Sequence, residues 1–149
     1  MSETVQIPTV NLSDEAIRAL LTEARTIAVV GLSDNPERDS YHVAEYLIKQ
    51  GYKVIPVNPM VLEVLHQVAY PSLTAIPKGE RIDIVDVFRR AEEVPAIAEQ
   101  AIALKAGALW LQEGIVHNGA AQAAAAAGLK VVQNLCIYQA HHRLFGRHA

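Results

Sequence analysis

Short apolar runs recur along the chain, separated by polar, helix-patterned stretches. They read TIAVVG (26–31), KVIPVN (53–58), IDIVDVF (82–88), ALWLQE (108–113) and KVVQNL (130–135). Each is rich in valine, isoleucine or leucine, and several are apolar without strict alternation, the pattern of strands covered on both faces. The stretch YHVAEYLIKQG (41–51) sets Val43, Leu47 and Ile48 on one stripe and ends on Gly51, a C-terminal cap signal. EEVPAIAEQAIALKAG (92–107) and HNGAAQAAAAAG (117–128) repeat that pattern and also finish on glycine. Upstream, LSDEAIRALLTEA (12–24) offers Ser13 as an N-cap, with Ile17, Leu20 and Leu21 at helical spacing. The alanines at 123–127 read as small side chains that let a short helix lie close on a sheet.

Alternation of strand and helix with short loops predicts an α/β fold, a parallel sheet with helices on both faces. The expectation is a single-domain, Rossmann-like, doubly wound parallel five-stranded sheet in three layers (α/β/α), with strand order 3-2-1-4-5. It would occupy residues 12–149, behind a flexible N-terminal arm at 1–11 that is polar and holds one proline. The connection at 59–82 is long: MVLEVLHQV is expected as a short helix or turn, and AYPSL as an extended segment leading into a loop.

Composition narrows the field. Hydrophobic residues make up 51% of the 149 positions and charged residues 19%, an ordinary globular balance. Net charge is −3 and no basic run exists, which argues against nucleic acid as a partner. No apolar stretch approaches a membrane span, and the N-terminus lacks the basic start and apolar core of a secretory signal. The one cysteine, Cys136, excludes an internal disulfide and fits a cytoplasmic location.

The candidate site follows the first strand. GLSDNPERDS is longer than a strand-to-helix connector needs to be, and it gathers Gly31, Ser33, Asn35, Arg38 and Ser40 ahead of a helix beginning near Tyr41. In open parallel sheets ligands sit outside the strand carboxyl ends where strand order reverses; with the expected order that crevice lies between the loops after strands 1, 2 and 4. Free N–H groups at the helix start attract phosphate. Arg38 supplies a forked cation and Ser33 and Ser40 hydroxyls. Each has a plainer use: Ser40 as N-cap, Gly31 as a turn residue, Arg38 paired with Asp34 or Asp39. The dinucleotide fingerprint G-x-G-x-x-G is absent, and the second strand ends in Asn58 and Pro59 where a ribose-binding acid belongs. A P-loop is absent too. A phosphorylated ligand is favoured, and a nicotinamide dinucleotide is not.

AVVGLSDNPERDSYHVAEYLIKQGYKVIPVNP, AYPSLTAIP, IDIVDVFRRAEEVP and LWLQEGI together resemble the small stand-alone CoA-binding proteins. These are similar to the N-terminal CoA-binding domain of the succinyl-CoA synthetase alpha subunit. The resemblance runs from about residue 15 to 145. It implies coenzyme A as cofactor, held across the strand carboxyl ends. Gly31, Leu32 and Ser33 would approach its pantetheine and phosphate portion; Arg38 and Ser40, with Tyr41 at the helix start, would meet the phosphates. Val57, Asn58 and Pro59 would border the adenosine, while Phe88, Arg89, Gln112 and Gly114 would line the crevice. The chain departs from the family at His66, where relatives carry glycine, at Asn134-Leu135-Cys136, where they read DRC, and at Ala140, where they carry glutamate.

No catalytic set is visible. His141 and His142 are adjacent and cannot share a metal face on a helix, and no H-x-x-x-H occurs. Cys136 has no evident base–orienter pair and reads as a structural thiol. Asp83 and Asp86 fall on opposite faces of one strand, and Asp86 is expected to cap or hydrogen-bond neighbouring loops. Trp110 and Tyr52 read as core or near-core. The sequence thus points to a non-catalytic module that binds CoA or a short acyl-CoA and serves or regulates another protein, with a homodimer compatible with its apolar balance. The alternatives are an NAD(P)-dependent oxidoreductase and an accessory subunit of an acyl-CoA synthetase.

Overall fold

The computed structural model describes residues 6–146. The elements run α1 (Asp14–Glu23), β1 (Thr26–Val30), α2 (Asp39–Lys49), β2 (Lys53–Val57), β3 (Glu63–Val64), β4 (Gln67–Val68), β5 (Ile84–Val87), α3 (Val94–Ala103), β6 (Ala108–Leu111), α4 (Asn118–Ala126), β7 (Lys130–Val132) and α5 (Ile137–Phe145), with single 3-10 turns at Leu73–Ala75 and Ala91–Glu93. Five of the strands form one parallel sheet with helices on both faces, the predicted α/β architecture. Ile27, Val29, Ile84, Trp110 and Val132 meet α1, α2 and α5 on one face. Ala28, Val30, Val85, Val87, Leu109 and Leu111 meet α3 and α4 on the other. The alanine-rich α4 buries Ala120, Ala121 and Ala124 there, and small side chains permit that close seating.

The strand order is β2-β1-β5-β6-β7, so in terms of the five main runs it is 2-1-3-4-5 and not 3-2-1-4-5. The outer edge of β2 is already occupied: Tyr70 bridges Val57, donating its N–H to Pro56 O and accepting from Asn58 N–H. With that edge taken, the chain returns past Leu73, Ile76 and Ile82 to the far side of β1 and enters the sheet as β5. Strand order therefore reverses between β1 and β5, and the crevice opens beside the loop after β5, which the expected order did not place next to β1.

One further expectation is corrected. MVLEVLHQV is neither helix nor open turn. It is a two-stranded hairpin, β3–β4, turning on Leu65 and His66 with φ of 52° and 66°. Both central residues are left-handed, which is the geometry of a two-residue hairpin matched to strand twist. Within residues 1–11, Ile7, Thr9, Val10 and Asn11 hydrogen-bond to the segment after β7 and to the start of α4. Asn11 Nδ2 donates to Gln133 O while Gln133 N–H donates to Asn11 Oδ1, and Leu12 N–H reaches Val131 O. These bonds cover the open edge of β7, which would otherwise expose unpaired backbone groups. Residues 1–5 of the arm lie outside the described residues. No helix among the described residues is long and apolar enough to cross a membrane.

Candidate functional site

The loop after β1 is built from its own polar side chains. Ser33 Oγ accepts from Asn35 N–H at 3.0 Å, and Asn35 Oδ1 accepts from Glu37 N–H at 2.9 Å, so two short side-chain turns set its path. Ser40 does not cap α2, which starts at Asp39 after Arg38. Its hydroxyl, buried to 6% exposure, instead accepts the Ser33 N–H at 3.0 Å and closes the loop on itself. Arg38 is exposed and makes no ion pair with Asp34 or Asp39 among the described residues. Gly31, Ser33, Arg38, Ser40, Phe88 and Arg89 line one cavity of about 500 Å³, with the Glu37 and Asp39 carboxylates also on its wall.

That cavity has neighbours on both sides. Gly31 and Arg89 also border a smaller cavity of about 180 Å³ walled by Val57, Pro59 and Pro71. In the other direction Phe88 and Arg89 border a larger cavity, about 930 Å³, which reaches Gln112, Gly114, Cys136 and Tyr138. The result is a trough along the carboxyl ends of β1, β2, β5 and β6. Arg89 is held by Glu93, with nitrogen–oxygen distances of 2.8 and 2.9 Å, and the Arg89 hydrogen bond to this half-buried carboxyl lowers its pKa. Arg90 sits more loosely, 3.5 Å from Glu93 and 3.7 Å from Glu92.

Three predicted site residues stand apart from the trough. The Leu32 side chain is fully buried against the α1/α2 core, so only its backbone is near the loop. Tyr41 packs partly buried against that same core. Asn58 is a brace: its Nδ2 donates to Leu32 O and its Oδ1 accepts from Met60 N–H, joining the loops after β1 and β2. Gln112 both lines the large cavity and accepts Ile137 N–H at 3.1 Å, fixing the start of α5. Sequence reasoning missed His42, Arg90, Cys136 and Tyr138 in the large cavity wall. The last two arrive with α5, whose signal was the spacing of Ile137, Ala140 and Leu144.

Asp83 does the work expected of Asp86, accepting from Arg25 N–H and Thr26 N–H at 2.8 and 2.9 Å. Asp86 lies fully buried between Val29 and Trp110, and neither carboxyl oxygen has a hydrogen-bond partner. Burial pushes its pKa well above the ordinary carboxylate value. His141, buried to 8% exposure, has Nδ1 2.7 Å from the Tyr46 hydroxyl, and burial lowers its pKa. No cluster of three potential metal ligands occurs among the described residues.

Residues 25–142 match the family model described as a CoA binding domain. The chain belongs to the CoA-binding domain family. Its CoA-binding domain is 42% identical over 131 residues to the Bacillus subtilis protein YneT, covering 88% of this chain and 96% of that one. A hypothetical protein from Pyrococcus horikoshii has a solved structure with 42% identity and a TM-score of 0.87, covering 98% of this chain and all of the other. The same domain fold recurs within an acetyl-coenzyme A synthetase of Ca. Korarchaeum cryptofilum, at 20% identity and a TM-score of 0.61 over 71% of this chain and 25% of the synthetase. That likeness concerns the fold alone.

Proposed function

We propose that this protein binds coenzyme A or a short acyl-CoA and performs no chemistry by itself. The observation that carries the reading is the order of the joined cavities. An apolar and proline-walled recess at Val57 and Pro59 suits the adenosine end. The Ser33–Ser40 loop with Arg38 suits the phosphates, where guanidinium and hydroxyl donors converge. The large cavity past Phe88 and Arg89 suits the pantetheine arm, long, flexible and only weakly polar. Membership of the CoA-binding domain family supports the same cofactor. No ribose-binding acid stands at the end of β2, which disfavours NAD.

The test is a thermal-shift and calorimetric series with CoA, 3′-dephospho-CoA, NAD and NADP. CoA at 100 times its Kd stabilises the fold by about 2.7 kcal/mol. Arg38→Ala weakens CoA binding by about 1.5–3 kcal/mol, the loss of a charge-assisted hydrogen bond. A flat response to CoA beside stabilisation by NAD overturns the reading.

A further inference from the structure

The large cavity does not end the trough. Its far border, formed by Ala91, Glu92 and Gly114, is shared with another cavity of about 510 Å³ that runs to Val116, His117 and Gly119 at the start of α4. Under the CoA reading, on which this inference rests, the pantetheine thiol comes to lie nearest this border, so whatever the thiol carries meets the second cavity. We propose that this cavity is an acyl subsite for a short, uncharged acyl group bearing an oxygen, of the 3-hydroxyacyl kind. Val116 and Ala91 give apolar wall for about two to four carbons. His117 Nδ1 accepts the Ala120 N–H at 3.0 Å, which assigns the ring proton to Nε2 and leaves a hydrogen-bond donor on a residue of the cavity wall. A plain alkyl chain would cover that donor without pairing it, at a cost. The Glu92 carboxylate at the border disfavours an acyl chain ending in a second carboxylate.

Isothermal titration of the full chain with CoA, butyryl-CoA, 3-hydroxybutyryl-CoA and succinyl-CoA tests this. The hydroxyacyl ester is expected to bind about tenfold tighter than CoA, about fourfold from its buried methyl and the remainder from pairing the His117 donor, which butyryl leaves covered and unpaired. Butyryl-CoA falls between, and succinyl-CoA shows no gain. Gly119→Leu fills the cavity from the α4 side and removes the acyl gain while CoA binds as before. A Cβ at Gly119 meets only the His117 ring, 3.4 Å away, so the fold accepts it, and Gly119→Ala provides a milder version. His117→Ala withdraws the donor together with the α4 cap, equalising the hydroxyacyl and butyryl esters. If CoA binds and 3-hydroxybutyryl-CoA binds no tighter, or if its gain survives Gly119→Leu, the acyl subsite is wrong and the CoA reading stands. If CoA itself does not bind, both fall.

Discussion

Gly31 passes so close to Phe88 that a Cβ on it would stand 2.7 Å from the Phe88 carbonyl oxygen. The contact follows from strand order. β1 and β5 are neighbours, Phe88 N–H donates to Val30 O at 2.8 Å, and the two chains separate immediately afterwards to open the trough. Gly31 also has φ of 88°, a conformation that side chains resist. Gly31→Ala is therefore expected to destabilise by about 2 kcal/mol or more, from left-handed strain plus a backbone clash. Urea denaturation reads this as a lower midpoint at unchanged slope.

The Ser33–Ser40 bond makes a second prediction. Ser40→Ala leaves the Ser33 N–H without its partner inside a half-buried loop, at a cost of about 1–2 kcal/mol. Arg38→Ala, at an exposed and unpaired side chain, leaves stability within about 0.5 kcal/mol. Comparing the melting temperatures of the two variants without ligand separates the loop's brace from its cation.

Two buried groups give the pH profile opposite slopes. Asp86 has a raised folded pKa, so its contribution is fully present below 3.8 and is lost as pH rises through the folded pKa, where the unfolded state has already released its proton. His141 has a lowered folded pKa, so the unfolded state binds a proton first as pH falls through 6.5, and stability drops until the folded pKa is passed. Each slope reaches about 1.4 kcal/mol per pH unit within its window. Asp86→Asn is expected to flatten the decline that sets in as pH rises above 3.8, and His141→Gln the decline as pH falls below 6.5. Denaturant titrations from pH 4 to pH 9 check both.

His66 sits at φ of 66° on the exposed tip of the β3–β4 hairpin. A glycine at this position would relieve the backbone, since only glycine adopts the left-handed region without penalty. His66→Gly should stabilise by about 1 kcal/mol, raising the melting temperature by about 2–4 °C for a chain of this size.

Gln133 is a fourth site where burial gives a large effect. At 1% exposure it donates to Val10 O and Asn118 Oδ1 and accepts from His117 N–H, linking the arm, β7 and the start of α4. Gln133→Leu keeps the volume and strands those partners, costing about 1–3 kcal/mol, and hydrogen exchange should show residues 9–12 opening first.

What the chain's order of residues determined by itself is what depends on near neighbours. Runs such as TIAVV and KVIPV are apolar on both faces and so declare buried parallel strands, and Ser13, Ile17, Leu20 and Leu21 mark α1 within a residue or two. The candidate loop was legible for a similar reason: Gly31, Ser33 and Arg38 sit within eight positions, and the bonds that shape their turn are local. Tertiary structure decided the rest. The seat of β5 beside β1 depends on Tyr70 occupying the edge of β2, a contact between residues far apart in the chain. Cys136 and Tyr138 enter the trough wall because Gln112, the Trp110–Leu135 bond and the buried Ile137 and Ala140 together seat α5. Nothing near Asp86 in the sequence foretells a carboxyl group without a partner, because burial is imposed by helices that pack over it from both ends of the chain.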